Sequence, residues 1–441
     1  MADIRLFRGV RYDAERVDLQ QVVCPPYDII STQYAADLRA RSPYNALHLH
    51  MPVSDPATGE DAYARAAAQF DRWQHDGVLV RDEEPALYVL EQEYRGPDGV
   101  GRRRRGLICR LRVEDFSTGV VLPHERTHRG PKVDRLALLR AARANFSQVL
   151  MLYSDPDDEV GAALAAAERR PAQPVRVRDD DGTVHSLQLA VGAQAERAAA
   201  LFADRRIVIA DGHHRYETAV AFRDERRAAG DASADYLMVY LTAMEDPGLA
   251  VFPAHRLVKG VEMPPLDNVL RRLERHFLIA KRDAADPATL SALLKEIAAH
   301  EQQDEVFVLV LPGENVALLV ELRDDSSIAR LEAEGFSPAL ARLPVTVLHY
   351  LIFRDVLGID PDSTERTIDY IAPPSEVFGL LASGEYCAGA LLNPPRVEDV
   401  RRIAENGETM PHKATYFFPK VLTGLVFNLL EPVAEGRPPA P

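Results

Sequence analysis

Cysteine is scarce in this sequence, which has three cysteines among 441 residues. Cys24, Cys109 and Cys387 lie far apart, so they form neither a C-x-x-C motif nor the dense spacing of a disulfide-stabilised secreted domain. This distribution argues against a cysteine-based metal site, a C-x-x-C redox centre and a disulfide framework. It favours a protein that works in a reducing compartment.

Long hydrophobic runs are also missing, because no stretch approaches the roughly 18 consecutive apolar residues of a membrane-spanning helix. The opening residues, Met1 to Arg5, lack the basic segment and following apolar segment that form a secretory signal. We therefore expect neither secretion nor membrane insertion, and we predict a cytoplasmic protein without a membrane partner.

Positive charge is in deficit, since 52 lysines and arginines face 67 aspartates and glutamates, for a formal net charge of −15. A protein with this balance repels nucleic acid on average, so we do not expect a nucleic-acid partner. An anionic ligand would need a local site. The sequence lacks the P-loop pattern G-x-x-x-x-G-K-[ST] and a G-x-G-x-x-G after a strand, which argues against the common nucleotide-binding folds.

The composition, 46% hydrophobic and 27% charged, predicts a globular protein of two or three domains. Strand-like and helix-like patterns occur throughout, so we predict a mixed α/β fold. We expect an N-terminal α/β region over 1–170, a central segment over 171–256 and a C-terminal α/β region over 257–441. The first boundary falls at a predicted linker or exposed loop, Pro171-Ala172-Gln173-Pro174.

Three local elements are predicted by their periodicity. Tyr63, Ala67, Phe70 and Trp73 recur at helical spacing over 61–74. Apolar runs at 87–90 and 106–111 flank a Gly-Pro-Asp-Gly turn, and runs at 306–311 and 316–320 flank a Pro-Gly turn, which predicts two hairpins.

Four consecutive arginines, 102–105, precede the run at 106–111. We interpret them as a solvated strand, with an anion-binding edge as the alternative.

The sequence Asp211-Gly212-His213-His214-Arg215 stands between a buried-type strand over 206–210 and a helix over 216–227. A strand, a glycine turn and a helix in this order bring backbone N–H groups and the positive end of the helix dipole together. Gly212 permits close approach, His213 and His214 can donate from their imidazoles, and Arg215 has a planar fork suited to phosphate. The turn therefore predicts a phosphate site.

Asp211 is the unexpected member of this turn, because a bound phosphate would repel a carboxylate. It fits if it binds Mg²⁺ or accepts a proton from a substrate. In the alternative, Asp211 only caps the helix and the histidines satisfy buried backbone groups. A helix cap alone would not require two histidines and an arginine on one turn, which favours the phosphate site.

His124-Glu125-Arg126-Thr127-His128 matches the zinc-protease pattern H-E-x-x-H. Pro123 and Gly130-Pro131 leave too little uninterrupted chain for the required helix, so we reject a zinc site. The remaining hypothesis is a catalytic loop in which Glu125 is a general base and His124 is its hydrogen-bond partner. Arg126 and Lys132 would then neutralise phosphate charge; a surface loop of mixed charge is the alternative.

Two further segments could line a substrate pocket. Tyr27 and Asp28 follow paired prolines, and Asp28 could bind an amine, although a rigid turn alone explains the prolines. Lys413 and Lys420 could complete an anion pocket from the C-terminal region; a solvated face is the alternative.

The turn Gly212-His213-His214-Arg215-Tyr216 resembles the glycine-cysteine-histidine-arginine-tyrosine turn of sulfiredoxin. Asp211 to Arg215 resembles the aspartate-glycine-histidine-threonine-arginine turn of free-serine kinases, which have the ParB/sulfiredoxin fold. The resemblance implies a ParB/sulfiredoxin-like core with additional mixed α/β segments, in which this turn binds nucleotide phosphates. His213 stands where sulfiredoxin has its cysteine, so only the phosphate-binding part of that chemistry is implied.

Over most of its length the chain also resembles the bacterial family of domain of unknown function 1015. The resembling blocks are Pro25-Pro26-Tyr27-Asp28, His124-Glu125-Arg126-Thr127, Asp211 to Arg215 and Met410 to Lys420. In the last block the family often has glutamine where His412 stands and serine where Ala414 stands. This resemblance names no reaction.

Together these observations predict a small-molecule kinase that uses ATP or ADP with Mg²⁺ and acts on a hydroxyl compound; the resemblance to free-serine kinases implies free serine as that compound. Arg215, His214 and the backbone after Gly212 would bind phosphates, Asp211 would bind the metal, and Glu125 would accept the hydroxyl proton. A phosphomonoester hydrolase with the same groups is one alternative. A ParB-like regulatory protein that binds nucleotide without turnover is another, and the oligomeric state stays open.

Overall fold

The computed structural model describes residues 1–54, 59–125, 129–284, 287–299, 305–361, 367–372 and 374–431. The chain forms two compact units. The first unit comprises Met1–Pro123, Thr127–Leu249 and Pro419–Pro441, and the second comprises His124–Arg126 and Ala250–Phe418. Both units contain helices and sheets, so the predicted mixed α/β class is confirmed.

The first unit contains twelve labelled strands and eight labelled helices among its described residues. The strands are β1 (Ile4–Arg5), β2 (Val10–Tyr12), β3 (Leu79–Arg81), β4 (Leu87–Arg95), β5 (Gly101–Arg112), β6 (Val121–Leu122), β7 (Ala144–Asn145), β8 (Val149–Tyr153), β9 (Glu168–Arg178), β10 (Val184–Val191), β11 (Ile207–Asp211) and β12 (Tyr236–Ala243), with Asn428–Leu429 pairing with β7. The helices are α1 (Leu19–Val22), α2 (Thr32–Arg41), α3 (Leu47–His50), α4 (Ala62–His75), α5 (Arg129–Ala142), α6 (Glu159–Ala166), α7 (Gly192–Ala200) and α8 (His213–Ala228), with 3-10 turns at Tyr27–Ile29 and Phe116–Thr118.

A nine-stranded mixed sheet organises this unit. Eight of its strands run in the order β6, β11, β8, β12, β5, β4, β10, β9, and β1 pairs with β5. The pairs β11–β6 and β12–β8 are parallel, and the other pairs are antiparallel. The central strands β8, β11 and β12 are almost entirely buried, as expected for strands covered on both faces.

The predicted first hairpin is confirmed, since β4 and β5 pair from Tyr88 with Ile108 to Arg95 with Gly101. A linker or exposed loop was predicted at Pro171–Pro174; these residues are largely exposed, but they lie within β9, so the prediction of irregular chain is wrong. This strand is at the end of the sheet order, and most of it is exposed. An edge strand tolerates prolines because one row of its N–H groups has no ladder partner to lose.

The helix predicted over 61–74 is confirmed as α4, which buries Phe70 and Trp73 and begins after the capping side chain of Asp61. The strand, turn and helix predicted around Asp211 are confirmed as β11, Gly212 and α8. Gly212 is the N-cap residue with a φ of 96°, a conformation that favours glycine. The turn is therefore a sharp reversal, and α8 begins directly at His213.

The second unit has its own strands and helices. The strands are β13 (Ala250–Phe252), β14 (His255–Val258), β15 (Phe277–Asp283), β16 (Val306–Leu311), β17 (Val316–Leu322), β18 (Ile368–Ile371), β19 (Ala388–Leu392) and β20 (Tyr416–Phe418). The helices are α9 (Leu266–Leu273), α10 (Pro287–Ala299), α11 (Ser326–Ala333), α12 (Pro338–Ala341), α13 (Pro344–Val347), α14 (Pro374–Ala382) and α15 (Val397–Glu405), with a 3-10 turn at Pro312–Glu314 and a π-helical segment at Leu348–Leu357.

A six-stranded sheet in the order β15, β17, β16, β19, β14, β18 forms the centre of this unit. The predicted second hairpin is confirmed as β16 and β17. The π-helical segment and β14 each contribute a buried histidine, His349 and His255. Burial, with the nearby positive charge of Arg256, lowers the pKa of both histidines to about 3, and His412 acts in the same direction on His349.

The buried histidines predict acid sensitivity of the second unit. Their folded pKa values lie below the unfolded value of about 6.5, so the unfolded chain binds more protons between these two values. The two histidines make their full contribution to the free energy of unfolding above about pH 6.5, and this contribution falls as the pH is lowered toward about 3. At about pH 5 the loss is about 2 kcal/mol per histidine. Urea unfolding at about pH 7 and about pH 5 measures this loss.

We expect His349→Leu to lower this pH-dependent loss by about one histidine's share, whereas substitution of the exposed His75 leaves it unchanged. Equal pH dependence in the His349 variant and the wild type would contradict the assignment of a neutral, buried His349.

Gly212→Ala tests the geometry of the turn. A Cβ at Gly212 would lie 2.8 Å from the guanidinium of Arg215, in addition to the strain of a positive φ. Gly192, at the start of α7, has a similar φ of 77° but nothing within 4 Å of a built Cβ. We expect both alanine variants to lose about 1 kcal/mol or more in urea unfolding, with the larger loss at Gly212. Equal losses in the two variants would show that the position of the Arg215 guanidinium does not require a glycine at residue 212.

Candidate functional site

The first unit concentrates charge at the end of β11. The Asp211 carboxylate accepts from Arg215 Nη2 at 2.7 Å through Oδ2 and from Lys420 Nζ at 2.5 Å through Oδ1. These three side chains are only 10 to 16% exposed. Two cations around one carboxylate leave a local excess of positive charge beside the N-terminus of α8, where the helix dipole adds to it.

Arg215 is held by the backbone on its other side. Its Nη1 donates to the carbonyl of Gln148 and to Ser147 Oγ, the latter at 3.3 Å. Its Nε is buried and has no acceptor among the described residues. The guanidinium is therefore fixed in position, and it keeps one donor for a further group.

The predicted pocket residue Tyr27 lies in the same unit, next to a buried histidine. Its N–H donates to His50 Nε2 at 3.3 Å, and the Arg135 guanidinium lies 4.7 Å from the centre of its ring. Burial first, and then the charges of Arg135 and Arg215, lower the pKa of His50 well below its usual range. His50 is therefore a neutral acceptor.

Burial also raises the pKa of Tyr27, with Arg215 lowering it and Asp211 raising it. The Tyr27 turn thus lies within electrostatic reach of the Asp211 turn. A small cavity of about 50 Å³, lined by residues including His50, Arg135, Ser147 and Arg215, extends from this group. Asp28, predicted to bind an amine, is exposed on the 3-10 turn.

Lys420 reaches Asp211 because a buried arginine holds its backbone. Arg104 donates to Gln92 Oε1 and, at 2.6 Å, to the carbonyl of Pro419, while Gln92 Nε2 donates to the carbonyl of Lys420. Arg104 is fully buried, against the prediction of a solvated strand over 102–105. Arg102 and Arg103 do pair with acidic side chains at the surface. Period-2 alternation on β5 directs Arg104 to the inner face.

The other residues predicted for phosphate binding have different surroundings. Lys132 on α5 forms an ion pair of 2.6 Å with Glu217 on α8. His213 is buried and His214 is half-buried at the start of α8. Arg126, and His128 of the rejected zinc motif, lie outside the described residues.

The second unit brings His124 and Glu125 to the segment before β20. Glu125 Oε1 accepts from the Lys413 N–H at 2.8 Å and lies 2.9 Å from His412 Nδ1. His124 Nε2 lies 3.0 Å from Thr415 Oγ1. Lys413 has a φ of 55°, which turns the chain sharply at this contact. Two of the sequence blocks, one near residue 124 and one near 412, therefore form one structural cluster.

Asp211 was predicted to bind a metal ion, so the partners of its carboxylate are relevant to that prediction. Each carboxylate oxygen accepts a hydrogen bond from one cation, Oδ2 from Arg215 and Oδ1 from Lys420, so a metal ion would share the carboxylate with these two cations. Within the described parts of the chain, no group of three or more His, Cys, Asp or Glu side chains could hold a metal ion. Among the described residues Asp211 would therefore be a single carboxylate ligand, and its metal role stays a prediction.

Among the described residues, no helix combines the length and the apolar character needed to cross a bilayer.

Solved structures with similarity to the chain include free serine kinase in complex with AMP, at 13% identity and a TM-score of 0.34, covering 68% of this chain and 83% of that one. A mutant of free serine kinase in complex with ADP matches at 12% identity and a TM-score of 0.34, covering 68% and 84%. SbnI from Staphylococcus aureus, truncated at its C-terminus, matches at 10% identity and a TM-score of 0.34, covering 72% and 86%.

No functionally curated protein matches the sequence. The family model described as "Protein of unknown function (DUF1015)" matches residues 4–346, which is most of the chain. The predicted family is thereby confirmed, and the chain belongs to the DUF1015 family.

Proposed function

We propose that the first unit binds the phosphates of a nucleotide at the Asp211–Arg215 turn, and that the protein is a cytoplasmic phosphotransferase. The observation that carries this proposal is the Asp211, Arg215 and Lys420 group, which has two cations for one carboxylate at a helix N-terminus. An anion next to this group gains from the positive charge, and the Nε of Arg215, which has no acceptor in the described part of the chain, offers it a hydrogen bond.

In this proposal Asp211 acts as the anchor that orients both cations. A carboxylate between Arg215 and Lys420 lowers the cost of burying two positive charges and limits their motion, so they are in place before the nucleotide arrives. The backbone N–H groups at the start of α8, with His213 and His214, would complete the phosphate contacts. Lys132 and Arg126 remain predicted contributors.

The proposed reaction moves the terminal phosphoryl group of ATP or ADP to a hydroxyl compound such as free serine. The new bond joins the acceptor oxygen to phosphorus as the bond to the leaving phosphate breaks, and the hydroxyl proton passes to a general base. Arg215 and Lys420 would stabilise charge on the phosphoryl oxygens. Tyr27 and Asp28, in the first unit, are the proposed contacts of the acceptor, while Glu125 as the base and Lys413 as a further contact remain predictions from the sequence.

Magnesium would reach such a site with the nucleotide phosphates, where it supplies additional positive charge for the transferred group. The phosphate-binding role of the protein's own cations does not depend on it. Comparing nucleotide affinity with and without Mg²⁺ separates the two contributions.

Arg215→Ala and Lys420→Ala test the nucleotide site. Each variant removes a charge-assisted hydrogen bond, so we expect the affinity for ADP to fall about tenfold or more in isothermal titration calorimetry. Arg205→Ala is the matched control, because Arg205 is also a half-buried arginine in ion pairs, with Asp155 and Glu159. Unchanged ADP affinity in folded Arg215 and Lys420 variants would rule out the proposed site.

Glu125→Gln tests the catalytic assignment. We expect loss of phosphate transfer from labelled ATP or ADP to free serine or another hydroxyl acceptor, because an amide cannot take the proton. ADP affinity should stay within about twofold, since Glu125 is not assigned to the nucleotide. Glu408→Gln, in the same unit and bonded to Ser337 Oγ, is the control.

The outcomes of the transfer assay also separate the alternatives. Nucleotide binding without transfer to any acceptor would favour the regulatory protein. Release of phosphate from a phosphomonoester without nucleotide would favour the hydrolase.

A further inference from the structure

The first unit contains a cavity of about 50 Å³ beside Arg215. One water requires about 10 to 15 Å³ of such space, so the cavity accommodates a compound of about five non-hydrogen atoms. Its polar lining includes His50, Arg135, Ser147 and Arg215. Its apolar wall is formed by Leu138, Leu139, Ala144, Phe146 and Leu237. The cavity therefore fits a short molecule with one polar and one apolar end.

Two of the polar lining residues, His50 and Ser147, can donate a hydrogen bond to a ligand. Ser147 Oγ accepts from Arg215 Nη1 at 3.3 Å, so its hydroxyl hydrogen can donate to another group. His50 Nε2 accepts from the Tyr27 N–H at 3.3 Å, so the neutral ring carries its proton on Nδ1. Arg135 lies beside His50, since its Nη1 donates to the His50 carbonyl at 2.7 Å. The lining thus combines two neutral donors with a guanidinium.

The charged groups around the cavity leave one positive charge. Arg135 pairs with Asp134, because its Nε donates to Oδ2 at 2.6 Å. Arg215 and Lys420 share the Asp211 carboxylate, so three cations meet two carboxylates in total. The cavity lining contains no aspartate or glutamate among the residues that the structure describes. A ligand with a single negative charge therefore fits this environment.

We propose that the acceptor of the phosphotransferase is a short hydroxy acid without an amino group, whose carboxylate lies in this cavity; this inference rests on the proposed function. The carboxylate would accept from Ser147 and His50, and Arg135 would supply the opposing charge. The α-ammonium group of an amino acid is bonded to the carbon next to the carboxylate, so it would enter the same cavity. There it would meet two guanidinium groups without a carboxylate of the described lining, which makes its desolvation costly.

Arg215 connects the cavity with the proposed phosphate site. It lines the cavity, and its Nη2 donates to Asp211 at 2.7 Å. The hydroxyl group of an acid in the cavity would therefore lie next to the nucleotide phosphates. Its oxygen forms a bond to the terminal phosphorus as the bond from that phosphorus to the bridging oxygen breaks, and the hydroxyl proton passes to a general base. The products are a phosphorylated hydroxy acid and either ADP from ATP or AMP from ADP.

Transfer from labelled ATP or ADP, with Mg²⁺ and the full chain, tests the acceptor class. The acceptors are glycolate, lactate and 3-hydroxypropionate, the neutral amide of each acid, and free serine. We expect kcat/KM for the best hydroxy acid to exceed the values for its amide and for serine by about tenfold or more. The amide lacks the negative charge, and serine adds an ammonium group.

Arg135→Met and Ser147→Ala test the location of the carboxylate. We expect the KM for the hydroxy acid to rise about tenfold in the first variant and about threefold in the second, and the preference over the amide to shrink by the same factors. ADP affinity should stay within about twofold. The matched controls, Arg223→Met and Ser154→Ala, should keep the wild-type preference. Arg223 is also a buried arginine paired with carboxylates, and Ser154 is a half-buried serine that follows β8 as Ser147 precedes it.

Faster transfer to serine than to every hydroxy acid would overturn the acceptor class and leave the proposed phosphotransferase intact. Nucleotide binding without transfer to any of these compounds would overturn the transfer reaction, and this inference with it. An unchanged preference for the acid over its amide in Arg135→Met would overturn the location of the carboxylate. If Arg135→Met does not fold, Ser147→Ala decides this point by the same criterion.

Discussion

The charge arrangement of the first unit depends on the Asp211 carboxylate. Asp211 stands at the end of β11 and accepts hydrogen bonds from Arg215, one turn into α8, and from Lys420, which is 209 residues away in the chain. Because all three side chains are mostly buried, water screens their attraction only weakly. Without this carboxylate, two cations would face each other next to the positive end of a helix. The same group therefore stabilises the turn, and it is the group to which we assign phosphate binding.

The local part of this arrangement could be predicted from sequence. A buried-type strand, a glycine and a helix with an apolar stripe determine a strand-to-helix turn over about twenty residues, and β11, Gly212 and α8 agree with it. The helix α4 and both hairpins were predictable for the same reason. Their hydrophobic periods and turn residues are contained within short segments.

The long-range part could not be predicted in this way. Nothing near Lys420 indicates that its partner is Asp211, because the contact results from chain segments that meet only in the folded unit. Arg104 looked like one of four solvated arginines, and its burial depends on the partners Gln92 and Pro419. The prolines of β9 suggested a linker because a single sequence does not reveal that the strand will lie at a sheet edge.

Arg104 and Arg256 show how the fold buries an arginine against backbone carbonyls and a tyrosine ring. Both are fully buried, both donate to backbone carbonyls and both lie over a tyrosine ring, Tyr240 and Tyr370 respectively. At Arg104 the glutamine oxygen of Gln92 accepts from both Nε and Nη2, so the protein itself supplies an acceptor for the side of the guanidinium that carries Nε. At Arg256 the Nε has no acceptor among the described residues. The two arginines therefore differ in how completely acceptors of the described chain satisfy the guanidinium, although the same two kinds of contact, a backbone carbonyl and an aromatic face, accompany the burial of both.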